Sequence, residues 1–273
     1  MGFKPSTTHS KRLITASLLI LLLFICIYWG GPILFVLLVW AGFSLGNREF
    51  FHLIYGKPSA VLLWFYWFLG TLAIGGAYFK GTEGFSLIII LGFILCIVRL
   101  IISFPHENRF FESLGKQVFA LWYLPLFFPF FILIRMGDQG LYWIFFLLAV
   151  NYAGDTAAFY VGRTWGRHKL APLISPQKTI EGSLGGLMAN GLIAWVFQQS
   201  LLSQFSWLQM VGLGLIIGIV SQLGDLLESM FKRAARVKDS GSLFPGHGGI
   251  LDRVDSLLLP APLLYFFIIF FQK

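Results

Sequence analysis

The chain has 273 residues and a formal net charge of +8, and 57% of its residues are hydrophobic whereas 12% are Asp, Glu, Lys or Arg. Soluble domains carry about twice that share of charged residues, so the composition argues against a soluble fold. The basic excess does not indicate a nucleic-acid partner either, because the Lys and Arg residues lie between apolar runs and no basic, aromatic-interleaved module recurs.

Nine apolar runs predict nine membrane-spanning helices. The first, 13–28, follows three basic residues and is interpreted as an anchor, because no small-residue cleavage pattern follows it. The second begins at Ile33, directly after a Gly-Gly-Pro turn. The others lie at about 59–79, 84–104, 117–135, 139–162, 183–201, 206–228 and 251–271. Most have close to the ~20 apolar residues that a helix needs to cross a hydrocarbon core about 30 Å thick.

The predicted fold is all-α, a polytopic helical bundle integral to the membrane. Strands are not expected, since the runs show no period of two and a helix satisfies its own backbone hydrogen bonds in lipid. We expect residues 1–273 to form a single membrane domain, in which 1–135 is mostly scaffold and 139–271 supplies catalytic helices and cytoplasmic loops. Cys26 and Cys96 lie inside apolar runs, which supports neither a disulfide nor a zinc site.

The basic residues predict a cytoplasmic N-terminus. In a nine-span arrangement of that orientation, 17 of the 20 Lys and Arg residues lie in or beside cytoplasmic segments, and only Lys80, Arg135 and Lys273 lie on the other side. The polar loops 163–182 and 229–250 then share the cytoplasmic face.

The densest group of acidic residues lies between positions 225 and 255, which hold five of the chain's 12 acids. Asp225, Glu228 and Lys232 recur at helical spacing and should line one face at the end of the eighth span. Asp252 and Asp255 lie in the first turn of the ninth span, where helix capping is their alternative role. Capping does not explain Asp225, which is near a helix C-terminus and costs about 2.5–3.5 kcal/mol to place near the membrane. Asp225 and Asp252 are therefore predicted to bind a cation.

Oxygen donors in small number indicate Mg²⁺ for this site, completed by water and phosphate oxygens. The glycine-rich segment 241–249 lets backbone approach an anion, and basic residues surround it, which favours a bound polyphosphate over a merely solvated positive loop. A single histidine makes no zinc site, so His247 is assigned to a phosphate or base contact, with orientation of the loop as the alternative role. Lys232 and Lys238 are assigned to catalysis. The assigned substrate-binding residues here are Arg233, Asp239, His247, Gly248, Gly249 and Arg253.

A second polar cluster runs from Asn151 to Gly182. Asp155 lies inside the sixth apolar run, where an acidic side chain faces a polar cavity by default. Ser175, Lys178 and Thr179 precede a helix expected to begin near Ser183, whose positive end suits phosphate oxygens. Substrate binding is assigned to Asp155, Ser175, Lys178, Thr179 and Glu181, with an ordinary helix cap as the alternative for Glu181 and Ser183.

These residues resemble the phosphatidate cytidylyltransferase (CDP-diacylglycerol synthase) family of membrane enzymes. The run from Ser229 to Asp255, with Lys-Arg, Lys-Asp and His-Gly-Gly, is similar nearly position for position to that family's long signature. Residues 175–182 resemble its second motif, with Gln177 where a basic residue is more common. The resemblance covers 151–256, and the first half is similar only in having many spans.

The resemblance implies Mg²⁺-dependent condensation of CTP with phosphatidic acid to give CDP-diacylglycerol and pyrophosphate. It implies Asp225 and Asp252 as metal ligands, and it allows a homodimer. The distribution of basic residues places the predicted active site at the cytoplasmic face, and the expected location is a bacterial inner membrane. Two alternatives stay open. A CTP-dependent lipid or polyprenol kinase is disfavoured by the Lys-Asp and His-Gly-Gly motifs. A cation transporter would not need a glycine-rich basic loop.

Overall fold

The computed structural model describes residues 24–104, 110–243 and 248–271. Residues 24–29 are helical, and the rest of the predicted anchor 13–28 lies outside the described part of the chain. The helices that follow are α1 (Gly31–Tyr55), α2 (Ala60–Ser103), α3 (Phe110–Met136), α4 (Gly140–Trp165), α5 (Ile180–Ser200), α6 (Trp207–Ala234), α7 (Leu251–Leu258) and α8 (Pro260–Phe271). The prediction of an all-α membrane bundle is confirmed.

Seven helices within the described ranges are long and apolar enough to cross a membrane, with α7 and α8 counted together as 251–271. The longest, α2, has 44 residues and reverses direction at Gly81, where φ is 59° and ψ is −141°. Only glycine adopts such a backbone without steric cost. The reversal brings Tyr66 within 3.4 Å of Cys96, so the runs predicted at 59–79 and 84–104 are two antiparallel limbs. The total of nine spans and their orientation stay predictions.

Local polar contacts set where the helices begin. Ser206 and Gln209 form a reciprocal capping box at the start of α6. Thr179 caps α5 by accepting a hydrogen bond from the Gly182 amide at 3.1 Å. Helix α5 therefore begins at Ile180, three residues before the start that the apolar pattern indicates.

The expectation of no strands is wrong in one loop. Strands β1 (Lys169–Ala171) and β2 (Ser175–Thr179) form an antiparallel hairpin between α4 and α5. The argument against strands applies to lipid, where an open sheet edge lacks partners, and it does not apply to a polar loop that water can solvate. This hairpin carries Ser175, Lys178 and Thr179 of the second polar cluster.

Aromatic packing joins the first half of the chain to α6. The rings of Phe50 in α1 and Tyr123 in α3 stack at 5.0 Å, and Phe119 in α3 meets Phe231 in α6 at 5.3 Å. Phe50 and Tyr123 are completely or almost completely buried. Pairs of this kind contribute about 0.5–1.5 kcal/mol beyond the area they bury. The cluster fixes the end of α6 that carries the charged residues.

Buried amides hold α4, α5, α6 and α7 together. Asn151 of α4 donates to the Ser256 hydroxyl of α7 at 2.9 Å and accepts from Ser221 of α6. Asn190 of α5 packs directly on the backbone of Gly154, and small residues let helices approach closely in a membrane. These contacts determine the relative positions of the helices around the site.

Candidate active site

A cavity of about 480 Å³ lies between the middle of α4, the C-terminal part of α6 and the beginning of α7. Five of its ten lining residues are acidic and two are basic, which is a large concentration of charge for a chain with 12 acids. The lining residues are Tyr152, Asp155, Thr156, Asp225, Lys232, Asp239, Asp252, Arg253, Asp255 and Ser256. Residues from both polar clusters therefore share one cavity.

Asp225 joins the two clusters directly. Its Oδ2 atom lies 2.5 Å from Nζ of Lys178, which extends from β2, and its Oδ1 atom lies 3.5 Å from the Ser229 hydroxyl. Sequence spacing could not pair residues 47 positions apart on separate elements. The hairpin brings Lys178 to Asp225, and β2, which carries Lys178, leads straight into α5.

Lys232 lies between two carboxylates. Its Nζ atom is 2.7 Å from Oδ1 of Asp252 and also contacts the carboxylate of Glu228. The side chains of Lys232, Glu228 and Asp252 are only 13%, 0% and 9% exposed. Charges with so little access to water are stable only when they are paired. The two carboxylates therefore need the Lys232 ammonium group, and the ammonium group needs them.

Asp252 and Asp255 have different surroundings. Asp252 Oδ2 accepts hydrogen bonds from the amides of Ser240 and Gly249 at 2.9 and 2.8 Å, so Asp252 organises the turn before α7. Asp255 is 8% exposed, and its Oδ1 atom accepts from the Ser256 amide at 2.7 Å. Asp255 therefore lies inside the cavity wall and does not cap α7.

The acidic residues of the cavity fit Mg²⁺ by chemistry, because all of their donors are carboxylate oxygens. Among the residues that the structure describes, no three His, Cys, Asp or Glu side chains are close enough together to hold a metal by themselves. A Mg²⁺ ion would then complete its octahedron with waters or phosphate oxygens, as it usually does. Oδ2 of Asp225 and Oδ1 of Asp252 each already contact one ammonium group, so each of these two carboxylates already stabilises one positive charge.

Some assigned residues lie outside the cavity lining. Arg233 donates from Nε to the carbonyl of Ile174 at 3.1 Å and so ties α6 to the hairpin. Thr179 caps α5. Glu181 accepts hydrogen bonds from the amides of Arg167 and His168 at 3.1 and 3.2 Å. These contacts organise the loop, and the assigned roles in substrate binding stay predictions.

Four more assigned residues do not line the cavity either. Ser175 is half-buried in β2, and Lys238 is exposed on the segment after α6. Gly248 and Gly249 are buried in the turn before α7. His247 lies outside the described residues.

Sequence reasoning missed Glu49, which belongs to the half interpreted as scaffold. Its carboxylate accepts hydrogen bonds from the amides of Ile250 and Leu251 at 3.1 and 3.0 Å and lies 3.0 Å from the Ser240 hydroxyl. An acidic residue at the end of an apolar run was the available signal. Nothing near it in the sequence indicates a partner about 200 positions away.

The fold and the cavity define a multi-pass membrane protein with a charged site between its helices α4, α6 and α7. The chain belongs to the cytidylyltransferase family, whose profile matches residues 10–271. It is 33% identical over 270 residues to the phosphatidate cytidylyltransferase of Bacillus subtilis, a match that covers 96% of this chain and 98% of that protein.

Two further relatives match a shorter part of the chain. A phosphatidate cytidylyltransferase of Staphylococcus epidermidis is 42% identical over 160 residues, and one of Staphylococcus aureus is 40% identical over 159 residues. Each match covers 58% of this chain and 60% of the relative. The resemblance seen at 151–256 is confirmed and extends into the first half, and with it the prediction of a nucleotidyltransferase. All three relatives are bacterial, in agreement with a bacterial membrane.

Proposed function

We propose that this protein condenses CTP with phosphatidate to give CDP-diacylglycerol and pyrophosphate. A phosphate oxygen of phosphatidate attacks the α-phosphorus of CTP and forms a new P–O bond. The bond from the α-phosphorus to the bridging oxygen breaks, and pyrophosphate leaves with that electron pair. Two ion pairs support this proposal most directly: Lys178 neutralises Asp225 and Lys232 neutralises Asp252, and both carboxylates line the one charged cavity.

The reaction needs positive charge more than it needs a protein nucleophile, because negative charge accumulates on the leaving pyrophosphate. Mg²⁺ held by Asp225 and Asp252 would neutralise polyphosphate charge. Lys232 and Lys238 are the proposed contacts for nucleotide phosphates. Lys178, with Ser175 beside it on the hairpin, is the proposed contact for the phosphatidate headgroup.

The proposal places the cavity at the cytoplasmic face. Support comes from the 17 of 20 basic residues that lie at that end in the predicted orientation. In this proposal the cavity receives a soluble nucleotide from the cytoplasm and a lipid headgroup from the membrane surface. The proposal also includes a homodimer, which the family resemblance allows and which the mass of the detergent-solubilised protein would test.

Labelled CTP tests the reaction. Label at the α-phosphate should appear in the lipid product, and label at the γ-phosphate should appear in pyrophosphate. No CTP should be consumed when phosphatidate is left out. Lipid labelled from the γ position would instead show a lipid kinase, and absence of any lipid product from the folded protein would refute the proposal.

A further inference from the structure

Glu49 lies near the end of α1 and reaches across to the segment that precedes α7. Its Oε1 atom accepts from the Ile250 amide at 3.1 Å, and its Oε2 atom accepts from the Leu251 amide at 3.0 Å. Oε2 also lies 3.0 Å from the Ser240 hydroxyl. Ser240 and Ile250 flank the glycine-rich segment 241–249, so one carboxylate bonds to both of its ends.

The backbone around this carboxylate has no space for other side chains. A Cβ atom added to Gly241 would lie 2.5 Å from Oε1 of Glu49, and one added to Gly249 would lie closer still to the same carboxylate. Any larger residue at either position would push the Glu49 carboxylate out of its present place. The glycines that the sequence attributes to a bound anion are therefore also needed to admit Glu49.

Ser240 connects Glu49 to Asp252. The Ser240 amide donates to Asp252 Oδ2 at 2.9 Å, and its hydroxyl oxygen lies 2.8 Å from the same atom and 3.0 Å from Glu49 Oε2. A hydroxyl group has one hydrogen to donate, so the two carboxylates share a single donor. A displacement of Glu49 would therefore shift Ser240, and Ser240 would in turn shift Asp252.

We propose that Glu49 is a positioning residue for nucleotide transfer, because it fixes Ser240 and the first amides of α7 and thereby holds Asp252 in the cavity. The inference rests on the proposed function, which gives Asp252 its role toward Mg²⁺ and phosphate. The charge of Glu49 also lies at the N-terminal end of α7, where the helix dipole favours an anion. The first half of the chain thus contributes directly to the geometry of the site.

Positioning and simple stabilisation predict different kinetics. A residue that only caps α7 would affect the fraction of folded protein and leave the folded enzyme unchanged. A residue that positions Asp252 should lower kcat and raise the Mg²⁺ concentration needed for half-maximal turnover. The KM for phosphatidate should not change, because Lys178 and the hairpin make their contacts through Asp225 and α5.

Glu49→Gln keeps the size of the side chain but removes its charge and one acceptor oxygen. Glu112→Gln is the matched control, since Glu112 forms an exposed pair with Lys116 within α3. In detergent, Glu49→Gln should lower kcat per folded molecule by about 10²-fold, as misplacement of a catalytic group does. The control should turn over like the parent. Ser240→Ala should show the same pattern. The kcat of the double variant should be no lower than that of the less active single variant, because the two residues act as one unit.

Hydrogen–deuterium exchange of residues 248–255 measures positioning without activity. Faster exchange there in Glu49→Gln, but not in Glu112→Gln, supports the inference when kcat per folded molecule falls and the Mg²⁺ requirement rises in the same variant. Unchanged exchange, or an unchanged kcat and Mg²⁺ requirement per folded molecule, overturns it. If Glu49→Gln does not fold, Ser240→Ala decides by the same criteria. A parent protein that makes no lipid product from CTP would refute the proposed function instead, and exchange would still test whether Glu49 holds this segment.

Discussion

Replacement of Lys232 by Met should destabilise the protein strongly. The ammonium group faces Glu228, which is 0% exposed, and Asp252, which is 9% exposed. Met fills a similar volume but leaves both carboxylates without that cation. Removing one partner of a buried ion pair costs about 3–5 kcal/mol, because the remaining charge stays buried and uncompensated. We expect a loss of this size in the free energy of unfolding, with turnover also lost.

Unfolding of the purified variants by heat and by SDS in a mild detergent measures this effect. Lys116→Met is the matched control, since Lys116 and Glu112 form a pair with side chains 34% and 47% exposed, worth about 0.3–0.5 kcal/mol. Adding Glu228→Gln to Lys232→Met should restore part of the stability, because one buried charge is then removed. A Lys232→Met protein that is no less stable than Lys116→Met would refute the account of Lys232 as the neutralising cation.

Two further predictions concern topology and the metal. With Cys26 and Cys96 replaced by Ala, single cysteines in loops 163–182 and 229–250 should be labelled by an impermeant reagent only from the cytoplasmic side, and one beside Lys273 only from the other side. Labelling of all three positions from one side would show that 251–271 does not cross the membrane and would refute the nine-span arrangement. Asp225→Asn and Asp252→Asn should each lower turnover by orders of magnitude and weaken the thermal stabilisation of the protein by Mg²⁺. Near-parental turnover of both at low Mg²⁺ would show that the metal is held elsewhere.

Local patterns predicted the elements of this fold better than the contacts between them. The apolar runs gave the helices, and the spacing of Asp225, Glu228 and Lys232 gave the charged face of α6. The hairpin between α4 and α5 was not expected, because two short strands in a polar loop leave no apolar period. The apolar pattern also misplaced the start of α5, because the Thr179 cap and not the first apolar residue determines where that helix begins.

By itself the sequence determined that the protein is a helical membrane enzyme of a recognisable family, because apolar run length and motif spacing are properties of neighbouring residues. Only the tertiary structure decided which charges meet. It paired Lys178 with Asp225, enclosed Lys232 between Glu228 and Asp252, and brought Glu49 from α1 to the start of α7. Such contacts depend on how whole helices pack, and an acidic residue carries no local mark of the distant amide or ammonium group that it will face.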